Sequence, residues 1–492
     1  MSLPVLSADA VRAAEAAFPE HLADGTLMQR AAAAVASECI TVLKDLGGVV
    51  GRHVLLLVGS GANGGDALFA GVRLAKRGAA VCALPVAGRM HDEGQRAFSA
   101  AGGRIIDVNR ALEMFDQWDL VIDGMVGLGS TRGLTGIAAL MARAIADAEL
   151  FTVAVDVPSG VHADTGAVDG VAIDADLTVT FGALRRAHVI APAAINCGEV
   201  LVADIGVPMD SADRAVTGQG HWFQAPLPNV DKYTRGVVGI VTGSRRYPGA
   251  ALLSTAAATR SGCGMVRYYG PAKDDVVAAQ PEVVAEGRSG IDRSKRVSAW
   301  LVGCGMGLDG KALDALRSVL DMRTPVVVDA DAITLIAEHR SLREALMSRR
   351  TSGDLTLLTP HLGEALRLAQ GFDLKFDFHG DRLRAAKRLA RACGCLILLK
   401  GPTTIITDGS HFLATPLLGA QLATAGSGDV LAGLIAGAAA RWARAGDFSE
   451  RDFMELAAAS ALRHSAAAAV TDNTASDLLV GLAPVESATM AP

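Results

Sequence analysis

The chain has 492 residues, half of them hydrophobic, with 54 glycines, 4% aromatics and a formal net charge of −6. That length exceeds what one core usually supports, so two or more domains are expected. The modest charge excludes a broad basic surface for nucleic acid, and the composition excludes a disordered or disulfide-stapled chain.

The opening segment carries Asp9 and Glu15 in a helical pattern and has no signal-peptide core. Val54–Val58, Val81–Leu84, Leu120–Ile122 and Val153–Val155 then read as buried strands, with helical patterns over Asp66–Arg77 and Gly136–Asp147 between them. Strands alternating with helices imply a parallel sheet that binds ligands at the strands' carboxyl ends. Between Val58 and Asp66 runs GSGANGGD, a strand-to-helix loop whose glycines admit a ligand to the backbone while the helix start offers N–H groups to an anion. It has neither a G-x-G-x-x-G pattern nor a Walker ending, and taken alone it is equally a tight turn. DGMVGLG (Asp123–Gly129) closes a second strand and continues through Ser130–Gly133, and DVPSG (Asp156–Gly160) closes a third. Each aspartate alone is most simply an N-cap or turn residue, but three such loops on one sheet edge point to a ligand crevice.

These motifs, in this order, resemble those of the NAD(P)H-hydrate epimerase domain over roughly the first two hundred residues, with ADIGVP (Ala203–Pro208) resembling its closing strand. The resemblance implies a potassium site at Asn63, Asp123 and Ser159, whose oxygens suit a hard cation. It also implies substrate contacts from Asn63, Gly64, Gly65 and Asp66, from Gly127, Leu128, Gly129, Ser130, Thr131, Arg132 and Gly133, and from Asp156. Asp156 is the expected general acid–base, because a carboxylate can shuttle the proton that lets the C6 hydroxyl of a hydrated nicotinamide leave and return. The chain departs from the family's Asn-Asn-Gly-Gly-Asp-Gly at Ala62, which removes an amide, and at Ala67.

Around Asp210–Arg235 the α/β rhythm stops in a segment with two prolines and no sustained period, the expected linker between domains at 1–215 and 216–492. A second series follows, with strands expected at Val237–Val241, Trp300–Val302, Val326–Val328, Leu355–Leu358 and Leu396–Leu399. Its strongest signal is ATAGSGD (Ala423–Asp429), a Gly-Ser-Gly turn opening a buried, small-residue helix over Val430–Ala440. Such a turn presents N–H groups to a transferring phosphate, and Asp429 in the first helical turn can take a proton from a hydroxyl. An aspartate that only complements the helix dipole is the simpler alternative. LKGPTT (Leu399–Thr404), TPHLGE (Thr359–Glu364), DAD (Asp329–Asp331), GCGMG (Gly303–Gly307) and GSRRYPGA (Gly243–Ala250) supply further loops. Seven cysteines form no zinc pattern, and the closest pair, Cys393 and Cys395, lies in an apolar strand-like run; all are expected to be reduced, inert cytoplasmic thiols.

Together these motifs resemble the ribokinase-like fold, and within it the ADP/ATP-dependent NAD(P)H-hydrate dehydratase, over about Trp222 to Ala483. The resemblance implies substrate contacts at Ala250, Gly305, His361 and Asp429, and adenine-nucleotide contacts at Lys400, Gly401, Pro402, Thr403, Thr404 and Gly428. Cys304 stands where the family has proline. The fold class is therefore α/β, an N-terminal Rossmann-like three-layer αβα domain and a C-terminal ribokinase-like αβα domain. The implied enzyme interconverts the R and S forms of hydrated NADH or NADPH, and dehydrates the S form at the expense of ADP or ATP with Mg²⁺ and K⁺. It is expected to be a cytoplasmic homo-oligomer acting on small molecules, with no nucleic-acid or membrane partner. The alternative is a ribokinase-like small-molecule kinase carrying a non-catalytic binding domain.

Overall fold

A computed structural model describes residues 2–224, 230–294, 296–444, 447–471 and 474–482; positions 225–229 of the expected linker and the outer ends of the two expected domains, 1 and 483–492, lie outside the described residues. The chain divides into two compact units. One comprises Leu3–Asp213 with His379–Arg382, the other Met1–Ser2, Arg214–Phe378 and Leu383–Pro492.

In the first unit, helix α1 (Ala8–Ala16) follows a strand at Ser2–Leu6 and is capped by the Ser7 side chain. Its sheet consists of β1 (His53–Val58), β2 (Ala80–Pro85), β3 (Arg104–Ile105), β4 (Leu120–Gly124), β5 (Thr152–Val155), β6 (Leu177–Phe181) and β7 (Glu199–Ala203), in the order β3-β2-β1-β4-β5-β6-β7. Every pairing is parallel. Along β1, Val54, Leu56 and Val58 feed the core on one face while Leu55 and Leu57 feed the other. That is the period-two alternation of a strand covered on both sides.

Helix α2 spans Ala62–Ala75, one turn earlier than the expected Asp66–Arg77, so of the glycine run Gly64 and Gly65 lie inside the helix while Gly59 and Gly61 precede it. Backbone crowding explains why those residues are small. A Cβ on Gly59 would stand 1.9 Å from the Met125 carbonyl oxygen, and one on Gly64 would stand 2.1 Å from that of Gly59. Helix α3 (Gly136–Asp147) lies where expected. The Ala203–Pro208 segment corrects the expectation: β7 ends at Ala203, and Asp204 accepts the Gly206 N–H at 2.7 Å in a turn where Gly206 has φ +77.

The second unit has β8 (Val237–Val241), β9 (Met265–Tyr269), β10 (Val284–Glu286), β11 (Ala299–Val302), β12 (Val326–Val328), β13 (Thr356–Leu358), β14 (Leu396–Leu399), β15 (Ile405–Thr407) and β16 (Phe412–Ala414). They run in the order β10-β9-β8-β11-β12-β13-β14-β15-β16, and beyond β16 a strand at Arg214–Val216, inside the expected linker, pairs with it in parallel, which corrects the expectation of a segment without regular structure. The pairings are parallel up to β14 and antiparallel through the β15–β16 hairpin. Val302, Val328 and Leu358 stand in register, as do Leu358 and Ile397, so the loops after β11, β12, β13 and β14 share one edge. Helix α4 (Pro248–Thr259), α5 (Asp331–Glu338), α6 (Leu362–Gly371) and α7 (Ser427–Ala443) begin beside that edge. Helix α7 packs so closely on α4 that a Cβ on Gly433 would stand 2.2 Å from the Ser254 carbonyl oxygen. All seven cysteines are free and buried. Cys393 ends a helix and Cys395 precedes β14, with Gly394 between them at φ +64, so the pair spans a turn and not a strand. Among the described residues, no helix is long and apolar enough to cross a membrane.

Candidate functional site

In the first unit, Asp123 is the penultimate residue of β4 and Asp156 follows the last residue of β5, beside the start of α2. Asp123 is fully buried; one oxygen accepts from the Ser159 backbone N–H and the other from the Ser159 hydroxyl, each at 2.7 Å, and Met125 N–H adds a third bond at 3.2 Å. Those donors favour the ionised form, yet burial outweighs them and pushes the carboxyl up to about 6. Asn63 donates its amide to the Val155 carbonyl at 2.9 Å. That leaves its Oδ1 toward Gly127, where a Cβ would stand 2.5 Å from it and 3.3 Å from Asp156 Oδ2. Asn63, Gly127 and Asp156 therefore meet, and Gly127 has no room for a side chain between them.

Asp156 is buried and ion-paired with Arg185, Nη2 to Oδ1 at 2.9 Å, while the Thr180 hydroxyl donates to the same oxygen at 3.0 Å. Asp66 is buried too, and burial followed by the charges of Asp156 and Glu15 holds its carboxyl well above the ordinary range. Burial likewise raises Glu15, against the pull of Arg185. In the 127–133 loop, Ser130 is buried and its hydroxyl accepts the Gly160 N–H at 3.3 Å, and the Leu128 carbonyl accepts from Arg12 at 3.3 Å. Thr131 and Arg132 are exposed, and Gly133 packs against the Asp169 carbonyl. Ala67 occupies the space over Gly124, since a Cβ there would stand 2.4 Å from the Ala67 methyl. Arg185 and Thr180 are not assigned from the sequence, where the available signal is the β-branched LTVTF run of β6 that brings a further strand end to this edge, and Glu15 is read there only as part of a helical pattern.

In the second unit, Gly426 takes a left-handed conformation (φ +87) and starts α7, with Asp429 in its first turn. Ligating atoms of Cys304, Asp329 and Asp429 lie within 4.8 Å of one another. Asp329 is the hub. One oxygen accepts the Lys400 ammonium at 2.8 Å and the Thr359 hydroxyl at 2.7 Å, and the other faces the Cys304 thiol at 3.6 Å. Burial, then the Asp329 charge, pushes the Asp429 carboxyl up to about 7. Burial alone would lower the Lys400 ammonium, but Asp329 and Glu364 outweigh it and raise it. His361 caps α6: its Nδ1 accepts the Gly363 N–H at 2.9 Å, and Glu364 accepts the His361 N–H at 2.9 Å. Gly305 stands against Ala250, whose methyl would lie 2.8 Å from a Cβ there, and Gly428 stands against Lys400, 3.3 Å from a Cβ to Nζ.

The remaining residues of the expected nucleotide loop divide. Gly401 and Pro402 are exposed, whereas Thr403 and Thr404 are buried, Thr404 bonded on both backbone groups to Thr415 beside the β15–β16 hairpin. The family resemblance makes Lys400 an adenine-nucleotide contact and leaves its buried carboxylate partner, Asp329, without a role. Asp329 was visible only as one member of a carboxyl-end loop.

A family profile described as NAD(P)H-hydrate dehydratase matches residues 238–484, and one described as YjeF-related protein N-terminus matches residues 24–187. The bifunctional NAD(P)H-hydrate repair enzyme Nnr of Mycobacterium tuberculosis is 43% identical over 436 residues, covering 87% of this chain and 87% of that one. The enzyme of the same name from Mycobacterium leprae is 42% identical over 438 residues, again covering 87% of each chain. Among solved structures, an ADP/ATP-dependent NAD(P)H-hydrate dehydratase from Bacillus subtilis, co-crystallized with ATP/Mg²⁺, is 22% identical and covers 55% of this chain and 96% of that one, with a TM-score of 0.44.

Proposed function

This chain belongs to the family of bifunctional NAD(P)H-hydrate repair enzymes, and from that premise we propose how its two units divide the work. The first unit is the epimerase and the second the dehydratase, so that both C6 epimers of hydrated NADH or NADPH become repairable. The observation that carries the reading is Asp429, a half-buried carboxyl at the amino end of α7 whose proton affinity burial has raised to about 7. A base of that strength at a helix end that attracts phosphate suits proton removal from a hydroxyl as that hydroxyl is phosphorylated.

In dehydration, Asp429 takes the proton from the C6 hydroxyl while its oxygen bonds to the terminal phosphorus of the nucleotide, and AMP leaves from ADP, or ADP from ATP. The ring nitrogen's lone pair then expels phosphate, and loss of the proton from the adjacent carbon restores the dihydropyridine. The α7 N–H groups and Lys400 face the developing phosphate charge. Asp329, Glu364 and Asp429 lie near Lys400, and Asp331 lies near Asp429, so the site suits a cation arriving with the nucleotide. Asp329, a buried carboxylate whose ligand atom lies within 4.8 Å of one of Asp429, would be a donor to Mg²⁺, which would supply charge neutralisation on the phosphates. ADP is the proposed donor, on the strength of the family resemblance alone.

In epimerisation, Asp156, once protonated from solvent, gives that proton to the C6 hydroxyl, which leaves as water as the ring nitrogen's lone pair forms the iminium. Water returns to either face, and Asp156 recovers the proton. Asn63, Asp66 and the Gly127–Gly133 loop are the proposed substrate contacts. Asp123 and Ser159, joined by Asn63, are the proposed potassium ligands; a fully buried carboxyl pushed up to about 6 fits a cation beside it. The buried free thiols support a reducing compartment, and we place the enzyme in the cytoplasm.

Incubating the full chain with ADP, Mg²⁺ and NADH hydrate should restore the absorbance of the reduced nicotinamide. Asp429→Asn should abolish that recovery while ADP still binds by calorimetry. Undiminished turnover in that variant would refute the assignment, and phosphorylation of an unrelated alcohol without recovery of absorbance would favour the kinase reading.

A further inference from the structure

Asp156 is the residue on which the epimerase half of the proposed function turns, and its backbone is unusual. It has φ +65, a region that L-residues other than Asn and Asp seldom enter. The Val157 N–H reaches back to the Val155 carbonyl at 2.8 Å, closing a γ-turn around Asp156. A turn of this hand is rare and strained, and it persists only where its surroundings over-determine it.

The surroundings come from the short turn Arg186–His188. His188 is buried, and its Nδ1 accepts the Arg185 backbone N–H at 3.0 Å. A neutral imidazole that accepts at one nitrogen carries its proton on the other. Its Nε2 therefore donates, and it lies 2.7 Å from the Asp156 carbonyl oxygen. Burial lowers the ring's proton affinity to about 4, so it stays neutral and keeps this tautomer at ordinary pH.

We propose that His188 is a positioning residue for epimerisation, its Nε2–H holding the Asp156 carbonyl so that the γ-turn fixes which carboxylate oxygen works. Oδ1 is occupied by Arg185 and Thr180. Oδ2 faces Gly127 and the Asn63 amide oxygen, and it is the oxygen that carries the proton to and from the C6 hydroxyl. Without the His188 bond the strained peptide relaxes and the carboxylate turns. A small misplacement of a reacting group costs rate more than binding.

The inference rests on the epimerase reading, and the test separates the two. Exchange of a single NADH-hydrate epimer is followed by chromatography on the full chain without nucleotide, so that no dehydration competes. No exchange by the wild-type chain would defeat the epimerase reading itself. With exchange established, His188→Leu should lower kcat about 100-fold with KM changed by less than about 3-fold. His188→Gln, whose amide can donate from the place of Nε2, should recover most of the rate. His188→Asn, whose amide can reach Arg185 N–H but not the Asp156 carbonyl, should stay as slow as the Leu variant. Wild-type kcat in His188→Leu overturns the proposal. If that variant fails to fold, the Asn and Gln variants decide it, and equal rates in those two overturn it.

Discussion

Asp123 is held by donors that ordinarily make a carboxyl more acidic, and burial reverses the outcome, leaving it up at about 6. The sign of the stability effect follows. An unfolded aspartate ionises near pH ~4, so between there and about 6 the folded state holds a proton that the unfolded state has lost. Stability of the first unit therefore falls as pH rises through that window. A cation bound beside Asp123 requires the ionised form and binds the folded state alone, so it offsets this loss. Added KCl, compared with a lithium salt at equal ionic strength, should accordingly raise the thermal midpoint of the first unit more at pH 7 than at pH 5. Asp123→Asn should remove the difference. A KCl effect that is the same at both pH values would remove Asp123 from the proposed potassium set.

At the scale of elements, the parallel strands buried on both faces were the legible part. Runs such as Val54–Val58 and Val237–Val241 carry no polar residue to blur them, and they form strands within a residue of the expected limits. The strands that went unread are short, or are punctuated by residues equally at home elsewhere. They include Arg104–Ile105, Val284–Glu286, and Leu177–Phe181 with its two threonines. Loops at the ends of readable strands were readable as well, which is why Asp123 and Asp156 stood out, and Asp429 stood out through the Gly-Ser-Gly turn that opens its helix. Arg185 and Glu15 did not, because their partners are supplied by the fold and not by neighbours in sequence. The same holds for the Lys400–Asp329 pair, 71 residues apart.

The α4–α7 contact yields a prediction of its own. Gly433 faces the Ser254 carbonyl at a distance that no Cβ tolerates, and backbone cannot step aside as a flexible side chain does. Gly433→Ala should cost about 1–3 kcal/mol, the usual range for overpacking, despite alanine's better helix propensity. The check is the denaturant midpoint at which dehydratase activity disappears; an unchanged or raised midpoint would mean that the helices can separate without loss.

At the scale of the whole chain, the two proposed catalytic aspartates lie in different compact units, so each activity should be separable by mutation. Asp156→Ala should leave the S epimer fully repairable while slowing consumption of the R epimer to its spontaneous rate. Asp429→Asn should keep epimer exchange and lose recovery of the cofactor. Mixing the two variants should restore consumption of the whole pool, read as complete return of the reduced-nicotinamide absorbance. A mixture that stalls at the S fraction would show that one chain must carry both working sites.

The burial of every cysteine has a practical corollary. Cys39, Cys82 and Cys197 lie in one unit and Cys263, Cys304, Cys393 and Cys395 in the other, all shut away from solvent. An alkylating reagent can reach them only when the surrounding structure opens, so peptide-resolved labelling of each set is a stopwatch on the breathing of its own half. The two halves can be timed in one tube at their native thiols, with no reporter residue engineered into either.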